Sequence, residues 1–175
     1  DMLNFGFWDK STNTPIEAQN NLCKFTGKMA NLYGAKSLID VGSGILGPAK
    51  RWNVDYPDLE IFAVNINYNQ LRDSNTSSIE KLNSTSRFLP FSNNSVDRII
   101  ALESAQHFKP LADFLLESKR ILKHDGILVI AIPIIGHNVS RFTKLGILSF
   151  TWSSEHYTME RITSEINKSG LSILE

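Results

Sequence analysis

Residues 37–47 combine residue types that could hold a small ligand. An apolar run at 38–41 contains one acid, Asp40, and glycines follow at positions 42, 44 and 47. Glycine permits a tight turn and leaves bare backbone N–H groups for a ligand, and Pro48 suits the first turn of a helix. Because the spacing fits G-x-G-x-x-G, this stretch predicts a buried strand, a glycine turn and a helix start around a nucleotide-like ligand.

The elements that would position this turn follow from apolar runs that alternate with helical spacing. Strands are predicted at residues 37–41, 60–66, 85–89, 96–102 and 127–132, with a further strand starting at 171–174. Helices are predicted at residues 14–33, 48–54, 67–82, 111–122 and 158–169. The first helix is expected to bury its apolar residues Ala18, Leu22, Phe25, Met29 and Leu32. This alternation predicts an α/β fold with a doubly wound, mostly parallel, Rossmann-like sheet flanked by helices.

In a sheet of this kind, ligands bind beyond the carboxyl ends of the strands. The glycine turn, Asn65, Glu103 and the loop after Pro133 are therefore predicted to converge at that edge. Two ligand classes fit the turn. A nicotinamide dinucleotide bound by an oxidoreductase also uses G-x-G-x-x-G. The acid two residues before the first glycine favours a cationic ligand without phosphate, because a carboxylate would repel a pyrophosphate.

Composition narrows the class of protein further. The 175 residues carry 18 Lys and Arg against 18 Asp and Glu, and this zero net charge argues against a general nucleic-acid binder. A single cysteine, Cys23, excludes an internal disulfide and a cysteine-based metal site. Its helical position predicts a buried structural thiol, and we expect no metal. The sequence shows no long apolar run and no signal peptide, so we expect no membrane span and a cytoplasmic location.

Four ordered segments resemble the motifs of the class I S-adenosylmethionine-dependent methyltransferases. They are Asp-Val-Gly-Ser-Gly at 40–44, Leu-Pro-Phe-Ser-Asn-Asn-Ser-Val-Asp at 89–97, Ala-Leu-Glu-Ser-Ala-Gln-His-Phe at 101–108 and Arg-Ile-Leu-Lys-His-Asp-Gly-Ile-Leu at 120–128. Asn-Phe-Gly-Phe-Trp at 4–8 is similar to the opening segment of the small-molecule branches that act on sterols and sugars. The resemblance covers nearly the whole chain and implies S-adenosylmethionine as the cofactor.

The resemblance also implies a single domain over residues 1–175. Residues 1–34 would form an N-terminal cap and helix, and residues 35–133 the cofactor-binding core. Residues 134–175 would form a substrate-side loop, a last helix and the start of a final hairpin. The family's sheet ends in an antiparallel hairpin, and we expect this sequence to stop before the second strand of that hairpin. A partner, or a second copy in a homo-oligomer, could supply that strand.

The family's cofactor contacts can be placed on matching residues. Gly42, Ser43 and Gly44 would lie against the methionine part of the cofactor, and Asp40 would help to hold its amino group. The methionine end would also be lined or covered by Leu102, Glu103 and Phe7 or Trp8.

At the other end of the cofactor the sequence departs from the family. Asn65 stands where the family has an acid for the ribose hydroxyls. The acid expected near the adenine is absent, so Thr85 or Ser86 could replace it, and Phe88 could stack on the base.

The resemblance predicts methyl transfer to a small-molecule acceptor, with a hydroxyl or an amine as the target. His107 is the first candidate for a general base, because it follows the fourth strand, and Glu103 could orient it. His137 and His156 flank the aromatic-rich loop at 134–157, which should cover the acceptor. The alternative is a degenerate methyltransferase fold that acts as a binding or regulatory partner without catalysis.

Overall fold

A computed structural model describes residues 2–74, 76–134, 155 and 157–174. Five strands form one parallel sheet in the order β3-β2-β1-β4-β5. In chain order the strands are β1 (Ser37–Val41), β2 (Glu60–Asn65), β3 (Glu80–Asn83), β4 (Val96–Leu102) and β5 (Leu122–Ala131). The order reverses direction between β1 and β4, so the switch point lies at the carboxyl end of β1.

Helices cover both faces of this sheet. They are α1 (Pro15–Met29), α2 (Gly47–Asp55), α3 (Tyr68–Arg72), α4 (Leu111–Ile121) and α5 (Met159–Ser169), with 3₁₀ turns at Leu32–Gly34 and Ala105–His107. On one face, Trp52 of α2 packs with Cys23 of α1, and on the other Phe114 of α4 packs under β1 and β4. The expected doubly wound α/β architecture is confirmed.

Helix α1 begins as the sequence predicts, and the predicted burial of Ala18, Leu22 and Leu32 is confirmed. Thr14 caps it, and Glu17 completes the capping box. The buried side includes Cys23, which confirms the expected buried thiol. The prediction that Phe25 and Met29 are buried is wrong, since both are about half exposed, at 48% and 49%. The buried residues of α1 also include Thr26 and Gly27, and the helix packs against α2.

The segment between β2 and the fourth strand also differs from expectation. The predicted helix over residues 67–82 stops at Arg72, where the Ser74 hydroxyl donates to the carbonyls of Gln70 and Ile45. The third strand is β3 at Glu80–Asn83, not residues 85–89. This strand consists mainly of polar residues and forms by parallel pairing with β2. Apolar periodicity therefore does not reveal its position in the sequence.

The carboxyl-terminal segment is the third difference. Residues 171–174 have no regular secondary structure, so the strand expected there is not formed. In the part of the chain that the structure describes, no helix is both long and apolar enough to cross a membrane.

Arg98 links the carboxyl end of α1 to strand β4 by a hydrogen bond. It lies on β4, is buried, and donates from Nε to the Ala30 carbonyl at 2.6 Å. Its Nη1 donates to the Asp97 carbonyl at 2.8 Å. Ala30 caps the carboxyl end of α1, where the helix dipole favours a cation.

We therefore expect Arg98→Met to lower the free energy of unfolding by about 1–3 kcal/mol, because a buried carbonyl loses its donor. Urea unfolding at equal slope measures the change. The matched control is Arg51→Met, since Arg51 forms a partly exposed pair with Asp55 at 2.8 Å. That control should lose less than about 1 kcal/mol. Equal losses in the two variants would contradict the anchoring role.

Candidate functional site

A cavity of about 740 Å³ opens at the carboxyl edge of the sheet, where β1, β2 and β4 end. This volume lies within the range of about 300–1,000 Å³ that is typical of small-molecule sites. Most of the residues predicted from the sequence line it, namely Gly42, Ser43, Gly44, Asn65, Thr85, Ser86, Leu102, Glu103 and His107. The predicted convergence of the glycine turn, Asn65 and Glu103 at one edge is thus observed.

Two N–H groups of the glycine turn are bonded to the backbone of the neighbouring strand β2. The N–H groups of Gly42 and Ser43 both donate to the Val64 carbonyl, at 2.8 and 3.1 Å. The expectation that these groups stay bare for a ligand is therefore wrong. Gly42 has φ +78°, and a Cβ there would lie 2.5 Å from the Cβ of Ser104, so only glycine fits. Because the N–H groups of Gly42 and Ser43 are already used, they are poorly suited to binding a pyrophosphate.

Three buried side-chain oxygens near the turn lack a hydrogen-bond partner among the described residues. They are Asn4 Oδ1, Asp40 Oδ2 and Ser43 Oγ. A buried acceptor without a donor costs about 1–3 kcal/mol. This end of the cavity therefore suits a ligand group that donates hydrogen bonds.

Asp40 sits in β1 behind the cavity wall, between Ala63 of β2 and Ile100 of β4. Burial raises the pKa of its carboxyl to about 7. Burial, and next the nearby Asp40 carboxylate, also raise the pKa of the Cys23 thiol to about 12. The Asp40 carboxylate would therefore attract a cation bound in the cavity without needing a direct contact.

At the opposite side of the turn, the Asn65 amide is used within the protein. Its Nδ2 donates to the Gly44 carbonyl at 3.1 Å and to Gln70 Oε1 at 2.8 Å. Its Oδ1 accepts from the Asn67 N–H at 3.2 Å. A carboxylate at this position could not donate to Gly44, so the asparagine braces the turn as well as facing the cavity.

Glu103 holds the N-terminal segment. Its Oε2 accepts from the Phe5 N–H at 2.6 Å, and burial raises the pKa of its carboxyl. Its backbone has φ +48°, a left-handed conformation that costs a residue with a side chain about 1–3 kcal/mol. The Ala131 carbonyl accepts its N–H at 2.7 Å and helps to hold this conformation.

His107 ends the 3₁₀ turn after β4 and lines the same cavity as the glycine turn. Nearby, the Glu155 N–H donates to the Gln106 carbonyl at 2.8 Å, and Tyr157 bridges to Ile134. Both flanks of the predicted covering loop therefore lie on the His107 side of the sheet. His137 and His156 lie outside the described residues.

Three aromatic residues expected at the site lie away from the cavity wall. Phe7 stacks on Phe25 with ring centroids 5.5 Å apart, and the Trp8 indole donates to the Phe5 carbonyl at 3.0 Å. Phe88 is largely exposed.

The cavity also has residues that sequence reasoning missed, namely Leu3, Asn4, Gln70, Ser104, Arg87 and Lys109. Asn4 belongs to the segment at 4–8, in which only aromatic residues were predicted to cover the ligand. Among the described residues, no group of three or more His, Cys, Asp or Glu side chains is placed to hold a metal ion.

The raised pKa of Asp40 predicts how stability depends on pH in the ligand-free protein. The folded state holds this proton more tightly than the unfolded state, whose pKa is near 3.8. The cost of ionising Asp40 is therefore absent below about pH 4, grows towards pH 7 and is full above it. Asp40→Asn removes this cost, so its stability relative to wild type should rise by about 2–3 kcal/mol between pH 5 and pH 8.

Denaturant unfolding at several pH values checks this expectation. The matched control is Asp58→Asn, an exposed acid in a loop, whose difference from wild type should stay flat. If the difference in unfolding free energy between Asp40→Asn and wild type also stayed constant with pH, ionisation of Asp40 would not destabilise the folded protein.

Comparison with known proteins identifies a family. The family described as "Methyltransferase domain" matches residues 39–130. Methyltransferase GfsG of Streptomyces halstedii is 27% identical over 190 residues, covering 100% of this chain and 67% of the relative. Erythromycin 3''-O-methyltransferase of Saccharopolyspora erythraea is 26% identical over 136 residues, covering 73% of this chain and 44% of the relative. This chain thus spans only part of each relative's length.

Among solved structures, the [4+2]-cyclase SpnF has a TM-score of 0.84 at 20% identity, over 99% of this chain and 65% of its own. This likeness shows the fold alone. The family match covers more than half of the chain, and it includes the glycine turn and the segment with Glu103 and His107. The chain therefore belongs to the methyltransferase-domain family, the class I S-adenosylmethionine-dependent methyltransferases.

Proposed function

We propose that this chain transfers a methyl group from S-adenosylmethionine to a small-molecule acceptor that bears a hydroxyl or an amine. The observation that carries the proposal is that one cavity contains both the glycine turn and His107. The names of the two relatives support it, since one is a methyltransferase that acts on an oxygen of erythromycin. Bound S-adenosylmethionine would supply an activated methyl group on its sulfonium.

The residues present fit this cofactor. Its amino-acid end carries an ammonium group, which suits the unpartnered Ser43 oxygen in the cavity lining and the Asp40 carboxylate behind the cavity wall. Asn65 Oδ1 accepts one hydrogen bond within the protein and has a second lone pair for a ribose hydroxyl. Thr85 and Ser86 line the cavity beyond Asn65 and would face the adenine. A cofactor without phosphate also suits a turn in which the N–H groups of Gly42 and Ser43 are occupied.

Methyl transfer to a hydroxyl requires a correctly positioned acceptor and one group that takes up its proton. Methyl transfer is an in-line displacement, so much of the rate comes from holding the acceptor against the methyl group. In this proposal His107 takes the proton of an acceptor hydroxyl. Glu103 acts at a distance from that step, because its carboxylate oxygen is engaged by the Phe5 N–H and fixes the N-terminal segment.

A second candidate is binding, or another reaction, without methyl transfer. The structural likeness to a protein described as a [4+2]-cyclase favours keeping it, since that fold covers 99% of this chain. Asn65 does not support this candidate, because its amide has a structural use in the turn.

The deciding experiment supplies S-adenosylmethionine together with hydroxyl-bearing and amine-bearing small molecules, including deoxysugar compounds. Mass spectrometry follows S-adenosylhomocysteine and the methylated acceptor. We expect the two products in equal amounts with at least one acceptor. Tight binding of S-adenosylhomocysteine without any turnover would favour the second candidate, and failure to bind it would overturn the methyl-transfer proposal.

We expect His107→Gln to lower turnover by about 10²-fold or more, because a general base is lost. The calorimetric affinity for S-adenosylhomocysteine should stay within about twofold. The matched control is His124→Gln, since the His124 side chain is 98% exposed and lies outside the cavity lining. Unchanged turnover in His107→Gln would remove His107 from the base role.

Asn65→Asp restores the family's usual acid and separates two expectations. If charge alone mattered, the variant would bind S-adenosylhomocysteine more tightly. We expect weaker binding and a loss of about 1–3 kcal/mol in unfolding free energy, because Gly44 loses its donor and faces a carboxylate. The control for stability is Asn67→Asp, since Asn67 caps α3 and aspartate caps equally well. Tighter binding without loss of stability would contradict this expectation.

A further inference from the structure

The first residues of the chain form a strap, defined here as residues 2–8, that lies along α1 and reaches the cavity. Gln19 Nε2 donates to the carbonyls of Met2 and Asn4, at 3.2 and 2.8 Å. The Phe7 N–H donates to the Ala18 carbonyl at 2.8 Å. These bonds, with the one from the strap to Glu103, fix its backbone at both ends of Asn4.

The strap packs closely against α1. Gly6 has φ +84°, and a Cβ there would lie 2.4 Å from the backbone carbon of Ala18. A Cβ on Gly44 would lie 3.3 Å from Leu3 Cδ1, so the strap passes directly over the glycine turn. The strap is therefore part of the wall of the site.

Asn4 is the polar side chain that the strap places in this wall. It is 8% exposed and lines the cavity. Its Nδ2 lies 3.8 Å from the Met2 sulfur, whereas its Oδ1 is buried and has no hydrogen-bond partner among the described residues. Buried amide oxygens in folded proteins usually accept a hydrogen bond, so a ligand that donates one would complete this site.

The position of Asn4 in the cavity indicates which ligand group would donate to its Oδ1. The Met2 sulfur beside Asn4 is 3.6 Å from the Cys23 sulfur. The Cys23 thiol is in turn close enough to Asp40 for that carboxylate to raise its pKa. Asn4 therefore lies at the Asp40 end of the cavity. The donor that the cofactor would bring to this end is the ammonium of its amino-acid part, since its ribose hydroxyls and adenine amine would lie towards Asn65 and Thr85.

We propose that Asn4 is a cofactor-binding residue whose Oδ1 accepts a hydrogen bond from the ammonium group of S-adenosylmethionine. This inference rests on the proposed function, because it needs the cofactor to lie with its amino-acid end at the glycine turn. Asn4 would act together with Asp40, one as a neutral acceptor in contact and the other as a charge behind the wall.

The test compares two ligands on two variants by calorimetry. S-adenosylhomocysteine carries the ammonium group, and 5′-methylthioadenosine lacks the whole amino-acid end. For Asn4→Leu we expect the affinity for S-adenosylhomocysteine to fall about tenfold or more, and that for 5′-methylthioadenosine to stay within about twofold. Asn4→Asp keeps an acceptor oxygen, so it should bind S-adenosylhomocysteine at least as tightly as wild type does.

Controls separate this role from a structural one. Asn53→Leu, outside the cavity lining, should bind both ligands as wild type does. Wild-type affinity in Asn4→Leu would overturn the proposal. Equal losses for both ligands would also overturn it, because they would show that Asn4 only holds the strap. If wild type binds neither ligand, that result overturns the proposed function, and this inference is overturned with it.

Discussion

Asp40 puts a carboxyl group in the middle of a parallel sheet, where no residue of the described chain donates to its Oδ2. Burial makes its ionisation costly, and the cost is greatest in the pH range where proteins usually work. A cationic ligand at the adjacent turn would offset that cost. In this account the same feature lowers the stability of the ligand-free protein and favours the binding of a cationic ligand.

The two ends of the cavity are built in opposite ways. At the end near Asp40, oxygens are left without donors, so a hydrogen-bond-donating cation completes them. At the end near Asn65, the amide already serves Gly44 and Gln70, and neutral hydroxyl groups are the suitable partners. Such an arrangement matches a ligand that is cationic at one end and a neutral nucleoside at the other.

The sequence was most informative where burial dictates residue type. β1 and β4 are almost fully buried apolar runs, and their positions were predicted correctly. β3 could not be found this way, because its exposed polar residues are set by pairing with β2. Likewise, glycine spacing located the turn, but the use of its N–H groups by Val64 depends on a neighbouring strand. The burial of Asn4 depends on the path of the strap, and no local pattern encodes that path.

The most direct test of this account measures proton release when S-adenosylhomocysteine binds. Calorimetry at about pH 6 in buffers of different ionisation enthalpy gives the number of protons released. If the ammonium group offsets the Asp40 carboxylate, wild type should release roughly one proton per ligand, because Asp40 is protonated before binding and ionised after it. Asp40→Asn should release almost none. Tight binding by wild type without proton release would contradict the account.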